Sequence, residues 1–341
     1  MSEVDKIIEI DFIRCEIEYG HFTITPADRS MDLKHLRAFL TVAETGNVTR
    51  AAEMLHLVQP AVSRQIRLLE EDIGAPLFER ERHGMLLTEA GKALVGYARR
   101  AMLELDRARA EVAGAASSGV GGLVTLGLLP STVDILSSAL VLALSTAYPA
   151  ISIRLAVGYA GTLMQWLASG EVDAALLYGA QRHPDTQTRR LVEERLWVIG
   201  PPAARLHAKK PVSLAQLAKR KVVLPSAPHG IRTLVEHACA VTQTTLDIGA
   251  ETNDLSVQRA LVLGGHGWTI LPPIAVADDL RTRRLTGAPL VEPAISRTIV
   301  LALPTNRPTG THVRRTIELL EQQTRRAIES GVWLEGRWLG D

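Results

Sequence analysis

Basic and polar side chains recur at helical spacing between residues 59 and 67. At about 100° per residue they fall within one narrow sector of a helix, which contains Pro60, Ser63, Arg64 and Arg67. The opposite side carries an apolar stripe with steps of four, three and four residues, made of Val62, Ile66, Leu69 and Ile73. Guanidinium and hydroxyl groups presented in this way could bind a nucleic acid, but a solvated surface helix shows the same pattern. The spacing alone leaves both interpretations open.

Two shorter helical segments precede this helix and must position it. Apolar residues follow helical spacing over 33–43, Gly46 is expected to end that helix, and Asn47 is a good cap for the next one. A brief turn at 57–58 leads into the third helix, where Pro60 suits the first helical turn. A short helix, a tight turn and a second helix with an arginine-bearing outer face are typical of a helix-turn-helix.

The residues around these helices carry a specific resemblance to one family. The matching positions are Leu36–Phe39, Gly46–Ala52, Leu55–His56, Gln59–Ile66, Leu69–Glu70, Gly74, Leu77–Phe78, Arg80 and Leu87–Gly91. On these residues the segment resembles the LysR-type transcriptional regulators. Val48 stands where an aromatic residue is usual, and Val58 stands where a small residue is usual. We interpret both as packing variation.

The resemblance implies a winged helix-turn-helix over 31–90 whose third helix enters the major groove of double-stranded DNA. The side chains expected in the groove are Gln59, Pro60, Ser63, Arg64 and Arg67. Glutamine and arginine suit base edges because they bond bidentately to adenine and guanine. Residues 79–85 would form the wing, with Arg82 and His83 at its tip. Arg50 and Arg80 are expected to bind phosphates, which position the domain without reading sequence.

Charge is distributed unevenly although the whole chain has a net charge of +1. Residues 31–90 contain seven basic and nine acidic residues, a net charge of −2, and 1–30 contain three basic and seven acidic, a net −4. The net charge is +2 for 91–122 and +5 for 123–341. A DNA-binding domain usually has a basic patch, and here it is confined to a few arginines. We therefore expect weak non-specific DNA affinity and reliance on dimeric contacts.

A long helix without proline is predicted to follow at 89–115. It carries a heptad seam formed by Leu94, Ala98, Ala101, Leu105, Ala108 and Val112. A one-sided core helix would show the same spacing, but the alanines and the place between two domains favour a dimer seam. The seam also matches the family's linker helix, and two-fold pairing implies a pseudo-palindromic operator. We expect a linker and glycine-rich hinge over 91–122, self-association as a dimer or tetramer, and RNA polymerase as a further candidate partner.

Strands and helices alternate from residue 123 onward, which is typical of an α/β domain. The predicted strands are 123–129, 151–157, 174–178, 222–225, 249–252, 268–271 and 298–303, and helices are predicted from 131, at 161–168 and at about 230–241, 254–264 and 311–329. Residues 170–175 and 264–272 look like the effector domain of the same family. The resemblance implies two lobes, as in a type 2 periplasmic binding protein, with lobe 1 at about 123–198 and 300–330 and lobe 2 at about 199–299. The predicted fold class is thus α+β and multidomain: a winged helix-turn-helix, a linker helix and a C-terminal α/β two-lobed effector domain.

Candidate effector-binding residues follow from the position of the strands. Ligands of such sheets bind beyond the carboxyl ends of strands and against helix N-termini. The polar residues at these positions are Ser131, Thr132, Ser226, His229 and Asn253. Two further candidates are Tyr178, which ends a predicted strand, and Thr269, which lies in the Gly-rich segment around Trp268. Free N–H groups with hydroxyls suit a carboxylate or sulfonate, although Ser and Thr also cap helices without any ligand. His229 is interpreted as a lining residue rather than a metal ligand, and Arg232 as either a surface residue or an anion partner.

Several other kinds of protein are disfavoured. Two cysteines without a partner motif exclude a disulfide framework and a cysteine-rich zinc site. No basic segment precedes an apolar run near the N-terminus, and the longest apolar stretches fall short of the roughly 20 residues that span a bilayer. We therefore expect a cytoplasmic protein with no membrane partner, no cofactor and no metal. Residues 1–30 are interpreted as an upstream extension of uncertain status. Residues 331–341 are interpreted as a tail whose two tryptophans, unusual for a free tail, pack either on the body of the protein or on another subunit.

The sequence therefore predicts a sequence-specific DNA-binding regulator switched by a small, anionic effector bound between two lobes. A solute-binding receptor is the alternative that rests on the second half alone, but it leaves 31–90 without a role. An enzyme is the other alternative, and the phosphate-binding, zinc-protease and serine-hydrolase motifs that would favour it are missing.

Overall fold

The structure is a computed structural model that describes residues 31–81, 84–115, 120–179 and 184–340, without the side chains of residue 107 and of 110–115. The interpretation of residues 1–30, and the placing of Arg82 and His83 at a wing tip, concern residues outside these ranges. Contacts within the chain divide it into two units, one extending to Pro76 together with Arg80–Leu86, and one containing Leu77–Glu79 and Leu87–Asp341.

The first unit is a three-helix domain with a two-stranded wing. Its elements are α1 (Leu33–Thr45), α2 (Val48–Met54), α3 (Gln59–Ile73), β1 (Phe78–Glu81) and β2 (Gly84–Leu87). The Asp32 carboxylate accepts the Lys34 N–H at 3.0 Å and starts α1. The Asn47 side chain accepts the N–H groups of Thr49 and Arg50 at 2.8 and 3.1 Å and starts α2. Gly46 and Gly74 end α1 and α3 in the left-handed conformation.

Apolar faces of the three helices form the core of this unit. Its buried members include Leu36, Phe39, Val42, Ala51, Ala52, Val62, Ile66 and Leu69. The predicted stripe on α3 is therefore buried, with its last member, Ile73, half-buried. The wing is tied to the end of α1, since the Met85 N–H donates to the Gly46 carbonyl at 2.8 Å. A Cβ on Gly84 would lie 2.4 Å from the same oxygen, so this close approach requires glycine.

The second unit begins with a long helix, α4 (Glu89–Ala115), and continues into an α/β domain. The first part of that domain contains β3 (Gly122–Leu128), α5 (Val133–Ala147), β4 (Ile151–Val157), α6 (Ala160–Ser169), β5 (Ala174–Tyr178) and β6 (Thr186–Arg195). Two ion pairs join α4 to it: Arg99 with Glu171 at 4.0 Å, and Glu104 with Arg307 at 3.8 Å. On the predicted seam, Ala98 is buried, Leu94 and Leu105 are half-buried, and Ala101 is exposed.

The chain then builds a second lobe and returns to the first. The second lobe contains β7 (Trp197–Gly200), β8 (Val212–Ser213), α7 (Leu214–Leu217), β9 (Lys221–Pro225), α8 (Gly230–Thr242), β10 (Asp247–Thr252), α9 (Leu255–Leu263), β11 (Thr269–Leu271), α10 (Ala277–Arg281) and β12 (Thr286–Val291). The returning elements are β13 (Ser296–Pro304), α11 (Thr311–Glu329) and β14 (Gly336–Trp338).

Each lobe has its own sheet and core. Lobe 1 is built on a six-stranded mixed sheet in the order β14-β6-β13-β5-β3-β4, with parallel pairing of β3 to β4 and β5 and antiparallel pairing of β13 to β5 and β6. Lobe 2 contains the sheet β11-β7-β12-β8 and the parallel pair β10-β9, which is bridged to the sheet between Val222 and Trp268. The predicted fold class, with its two-lobed α/β domain, is confirmed.

The strands place two boundaries differently from the sequence prediction. Leu196 separates β6 from β7, so 197–198 belong to lobe 2, and 296–299 belong to lobe 1 because they start β13. Residues 331–340 pack on the body of the protein, which is one of the two alternatives that the sequence left open. Trp333 is buried, and β14 pairs with β6 at the edge of the lobe 1 sheet. Unpaired backbone groups at a sheet edge and a large apolar ring both favour docking onto lobe 1.

One stretch, Pro130–Ala147, is long and apolar enough to cross a membrane by length and composition. It contains α5, whose residues Leu136, Leu140 and Leu144 are buried in the lobe 1 core. The sequence prediction concerned uninterrupted apolar runs, whereas this 18-residue stretch also contains Asp134 and several serines and threonines. Packing of these leucines against lobe 1 accounts for part of its hydrophobicity, since 28% of the stretch is buried.

Candidate DNA interface and interlobe cavity

The outer face of α3 presents most of the predicted base-reading side chains to solvent. Gln59, Pro60, Arg64 and Arg67 are exposed, and Ser63 is half-buried. The Gln59 amide donates to the Ser63 hydroxyl at 2.8 Å, which links two of these polar groups along the helix. The arrangement offers amide, hydroxyl and guanidinium groups together on one convex surface.

The two arginines of this face differ in their partners. The Arg67 Nε atom lies 3.5 Å from a Glu71 carboxylate oxygen, and both side chains are more than 60% exposed. Such an exposed pair is weak, so Arg67 can exchange this partner for a phosphate or a base. Arg64 has no hydrogen-bond or ion-pair partner among the residues that the structure describes. It is therefore the more available guanidinium of the two.

The two predicted phosphate-binding arginines within the described ranges are also exposed. Arg50 lies in the first turn of α2, and Arg80 lies on β1.

Val58 does not pack as the sequence predicted. It is the N-cap residue of α3 and 69% of it is exposed, so its interpretation as packing variation is wrong. If α3 reads DNA as predicted, an exposed apolar group at its start can contact a thymine methyl group.

A small cavity lies between the two lobes of the second unit. Lobe 1 contributes Pro130, Ser131, Tyr159, Tyr178 and Arg297, and lobe 2 contributes His229, Ile231, Leu255, Gln258, Leu271, Pro272 and Ala275. Three of the predicted effector residues, Ser131, Tyr178 and His229, are brought together here. They approach from the turn before α5, from β5, and from the start of α8.

Arg297 organises the lobe 1 side of this cavity. Its guanidinium donates to the Ser131 hydroxyl at 3.0 Å and lies 3.9 Å from the centre of the Tyr178 ring. The Tyr178 and Ser131 hydroxyls are 2.8 Å apart. Burial raises the pKa of Tyr178, an effect that the Arg297 charge partly offsets. Tyr178 therefore stays protonated and can donate a hydrogen bond.

Behind the cavity wall, Arg297 is held by a buried carboxylate. Arg297 and Glu194 are 2.6 Å apart, and their side chains are only 4% and 0% exposed. The other Glu194 oxygen accepts the Trp333 indole N–H at 3.0 Å. The C-terminal segment thus completes the site, because Trp333 fixes the carboxylate that orients Arg297. Buried charges of this kind persist only when paired and hydrogen-bonded.

His229 and Tyr159 form the opposite side of the cavity. Their rings meet edge to face with centroids 5.1 Å apart. The His229 Nδ1 atom accepts the Ile231 N–H at 3.2 Å, which caps α8 and leaves the proton of the neutral ring on Nε2. The Tyr159 hydroxyl accepts the Leu255 N–H at 2.9 Å, so a lobe 1 side chain occupies the start of α9 in lobe 2. This contact joins the two lobes.

The cavity is small, and it borders a larger opening. It offers about 20 Å³ to the centre of a water molecule, which is enough for a single water. An adjoining, mostly apolar pocket offers about 600 Å³. Tyr178, Ile231 and Arg297 belong to the walls of both. A ligand in the larger pocket can therefore reach Arg297, whereas one at Ser131 requires the lobes to move apart.

Four predicted effector residues lie outside the cavity wall. Thr132 is fully buried and donates to the Leu129 carbonyl at 2.9 Å. Thr269 is fully buried behind Gln258, whose amide donates to it at 2.6 Å. The backbone at Ser226 continues the pairing of β9 with β10, and Asn253 is exposed beyond it. The position of a residue near the end of a strand did not predict the direction in which its side chain points.

Sequence reasoning also missed several residues of the site. Arg297, Glu194, Tyr159 and Gln258 were not candidates, because their partners are distant in the chain. An available signal was Arg297 itself, the one charged residue of β13. Arg232, left open between a surface role and an anion partner, bonds Glu236 at 2.5 Å and also pairs with Glu251. It also lies outside the walls of both the interlobe cavity and the adjoining pocket.

The protonation of His229 predicts a pH dependence of stability. Burial and, secondarily, the Arg297 charge lower the pKa of His229 to about 4 from its usual 6.5. The unfolded chain takes up a proton between these values and the folded chain does not, so stability falls as the pH decreases through this window. His229→Asn keeps an acceptor for the Ile231 N–H. It should reduce the slope of the free energy of unfolding against pH by the equivalent of up to one proton taken up on unfolding. Urea unfolding between pH 4 and 7.5 measures it.

His237→Asn is the matched control, because His237 is exposed on the same helix. We expect it to retain the pH dependence of the unaltered chain. Equal slopes for His229→Asn and the unaltered chain would contradict the assigned environment of His229.

A winged helix-turn-helix joined through a long helix to a two-lobed α/β domain defines a class of regulators that combine DNA binding and ligand binding in one chain. Residues 33–92 match the family of bacterial regulatory helix-turn-helix proteins, lysR family, and residues 117–325 match the LysR substrate binding domain. The chain belongs to the LysR family of transcriptional regulators. Its predicted membership and its function as a DNA-binding transcriptional regulator with an effector domain are confirmed.

Individual relatives agree with this assignment. The chain is 29% identical over 309 residues to the HTH-type transcriptional regulator BbuR of Bordetella bronchiseptica, covering 90% of this chain and 95% of that protein. It is 31% identical over 258 residues to the RuBisCO operon transcriptional regulator of Allochromatium vinosum, covering 75% and 84%. These relatives are regulators, which rejects the enzyme alternative.

Solved structures show the same architecture. A full-length OxyR variant with one substituted cysteine, from Pseudomonas aeruginosa, is 26% identical with a TM-score of 0.63, and the match covers 87% of this chain and 95% of that one. CbnR, a LysR family transcriptional regulator, is 23% identical with a TM-score of 0.70, covering 86% and 99%, and shares the fold.

Proposed function

We propose that this regulator is switched by a small organic acid bound between the lobes, with its carboxylate at Ser131 and Arg297. This proposal rests on the observation that hydrogen-bond donors from both lobes converge on one cavity. Ser131, Tyr178 and the Arg297 guanidinium line it from lobe 1, and the His229 Nε2–H lines it from lobe 2. Charge-assisted bonds from guanidinium to carboxylate are among the strongest in proteins.

The adjoining pocket indicates what the rest of the acid is like. It is lined mainly by apolar surface, to which Ile231, Leu234 and Val300 contribute, and Arg190 and Arg297 are its charged members. An acid with an aliphatic or aromatic body would bury that body here. The volume of about 600 Å³ lies in the range of small-molecule sites, roughly 300–1,000 Å³.

The switch follows from the size of the inner cavity. Space for one water cannot hold an acid, so the effector binds an arrangement in which the Tyr159 contact to Leu255 is broken or displaced. A ligand shifts an equilibrium only by its differential affinity for the two arrangements. The lobe movement would be transmitted to α4, which is tied to lobe 1 by its ion pairs to Glu171 and Arg307.

On the DNA, we propose that Gln59, Ser63 and Arg64 read bases while Arg50 and Arg80 bind phosphates. The protein would act in the cytoplasm on a pseudo-palindromic operator. Dimers or tetramers would form through the α4 seam and through exposed apolar side chains such as Val141 and Leu142, which are 42% and 69% exposed. RNA polymerase remains a proposed partner.

Ser131 tests the effector site directly. The test compares a panel of carboxylic acids with the corresponding amides. We expect some of the acids to raise the melting temperature of the purified protein, and we expect their amides not to raise it. Ser131→Ala should abolish that rise, since it removes a hydroxyl at the carboxylate position. Differential scanning fluorimetry measures both effects.

Ser138→Ala is the matched control, because Ser138 is exposed on α5 in the same region. It should keep the full shift. Acids and amides that act equally, or a shift that persists in Ser131→Ala, would overturn the proposed site.

A further inference from the structure

Lobe 2 carries a concave surface lined by basic side chains. Its charged and aromatic lining consists of Arg205, His207, Lys210, Lys219, Arg220 and Trp268, which we call the basic pocket. It offers about 370 Å³ and shares no lining residue with the interlobe cavity. Among the residues that the structure describes, no aspartate or glutamate lines it.

The positive charges of the basic pocket are not neutralised within the described parts of the chain. None of its two arginines and two lysines forms an ion pair there, whereas Arg232, Arg259, Arg281 and Arg284 elsewhere in lobe 2 all do. The sequence explains this difference. Between Glu194 and Glu236 the chain contains eight lysines and arginines and no acidic residue. Like charges held together repel one another and destabilise the folded state.

The backbone and one ring fix the shape of the basic pocket. His207 and Lys210 pair as an isolated bridge, and the Lys210 N–H donates to the His207 carbonyl at 2.9 Å. The His207 Nδ1 atom accepts the Lys209 N–H at 3.1 Å, which directs the proton of a neutral ring to Nε2. The Arg220 guanidinium lies 5.2 Å from the centre of the Trp268 ring, a cation–π contact that orients it.

The chemistry of these groups selects a phosphorylated ligand. Arginine binds phosphate through two parallel N–H bonds, and lysine adds a mobile point charge. A volume of about 370 Å³ is within the range of small-molecule sites, roughly 300–1,000 Å³. A concave surface suits a compact polyanion better than the convex backbone of a duplex. We propose that the basic pocket is a second ligand site of this regulator, for a small molecule that bears two or more phosphate groups.

Inorganic pyrophosphate is the probe that tests this site, titrated calorimetrically into the full-length protein at constant ionic strength. We expect one site per chain. Lys210→Gln/Lys219→Gln should raise the dissociation constant for pyrophosphate at least tenfold, because two of the four cations of the basic pocket are lost. The matched control is Arg154→Gln/Arg326→Gln, which removes two exposed cations of lobe 1 that lack ion pairs in the described structure. It should bind pyrophosphate as the unaltered chain does.

A third variant separates this site from the interlobe cavity. Ser131→Ala should leave pyrophosphate binding unchanged, whatever it does to an organic acid. Absence of pyrophosphate binding, equal weakening by both double variants, or loss only in Ser131→Ala would each overturn the proposal. A lower operator affinity of Lys210→Gln/Lys219→Gln with unchanged pyrophosphate binding would assign the surface to DNA instead. If that variant does not fold, Lys210→Gln alone should weaken pyrophosphate binding about threefold, and an unchanged constant would overturn the proposal.

Discussion

Glu194→Gln should lower the free energy of unfolding by about 3–5 kcal/mol, the range found when one partner of a buried ion pair is removed. The substitution preserves the shape of the side chain but leaves the Arg297 charge, 4% exposed, without its counter-charge. One Glu194 oxygen accepts a hydrogen bond from Arg297, and the other accepts one from the Trp333 indole. The substitution replaces one of these two oxygens by an amide nitrogen. Urea unfolding monitored by tryptophan fluorescence measures the loss.

The neighbouring residue supplies a matched control. Glu193 pairs with Arg337 on the exposed side of the same strand, where the arginine side chain is 70% exposed. Glu193→Gln should change stability by no more than about 1 kcal/mol. Glu194→Leu/Arg297→Met should recover most of the loss, since an apolar pair of similar volume often replaces a buried ion pair without cost. If Glu194→Gln and Glu193→Gln had equal effects, burial of the pair would not determine its importance.

Arg64→Ala should weaken operator binding about ten- to a hundredfold, because a bidentate contact to a base contributes roughly 1–3 kcal/mol of discrimination. Arg64 is exposed on the outer face of α3 and has no competing partner in the described residues, so its guanidinium is available to a guanine. Fluorescence anisotropy with operator DNA and with random DNA of equal length measures the effect. The affinity for random DNA should change much less.

Arg37→Ala serves as the control for lost charge. Arg37 is exposed on α1 of the same unit, and its removal changes the net charge equally. Its operator affinity should stay near that of the unaltered chain. An equal loss on operator and random DNA in Arg64→Ala would show that Arg64 binds a phosphate and does not read a base.

Much of the first unit could be predicted because its signals are local. The apolar stripe on α3, the glycines after α1 and α3 and the Asn47 cap lie within a few residues of the elements that they define. In the second unit, α8 and α11 were predicted almost to the residue. Strands β6 and β12 were missed. The first is largely polar and exposed over its first half, and the second contains Gly287 and Pro289, so neither shows strand-like alternation.

The helices of the first unit and the polar face of α3 follow from the amino-acid sequence alone, because helix periodicity and caps are properties of neighbouring residues. The family and the class of fold follow from the resemblance that the sequence carries to known regulators. Which groups form the interlobe cavity depends on the folded arrangement of distant segments. Ser131 and Arg297 are 166 positions apart, and Glu194 and Trp333 are 139 apart. Sheet pairing of β6, β13 and β14 brings Arg297, Glu194 and Trp333 together. No local pattern encodes a contact made by chain segments so far apart, so their common site became visible only when the lobe 1 sheet was in place.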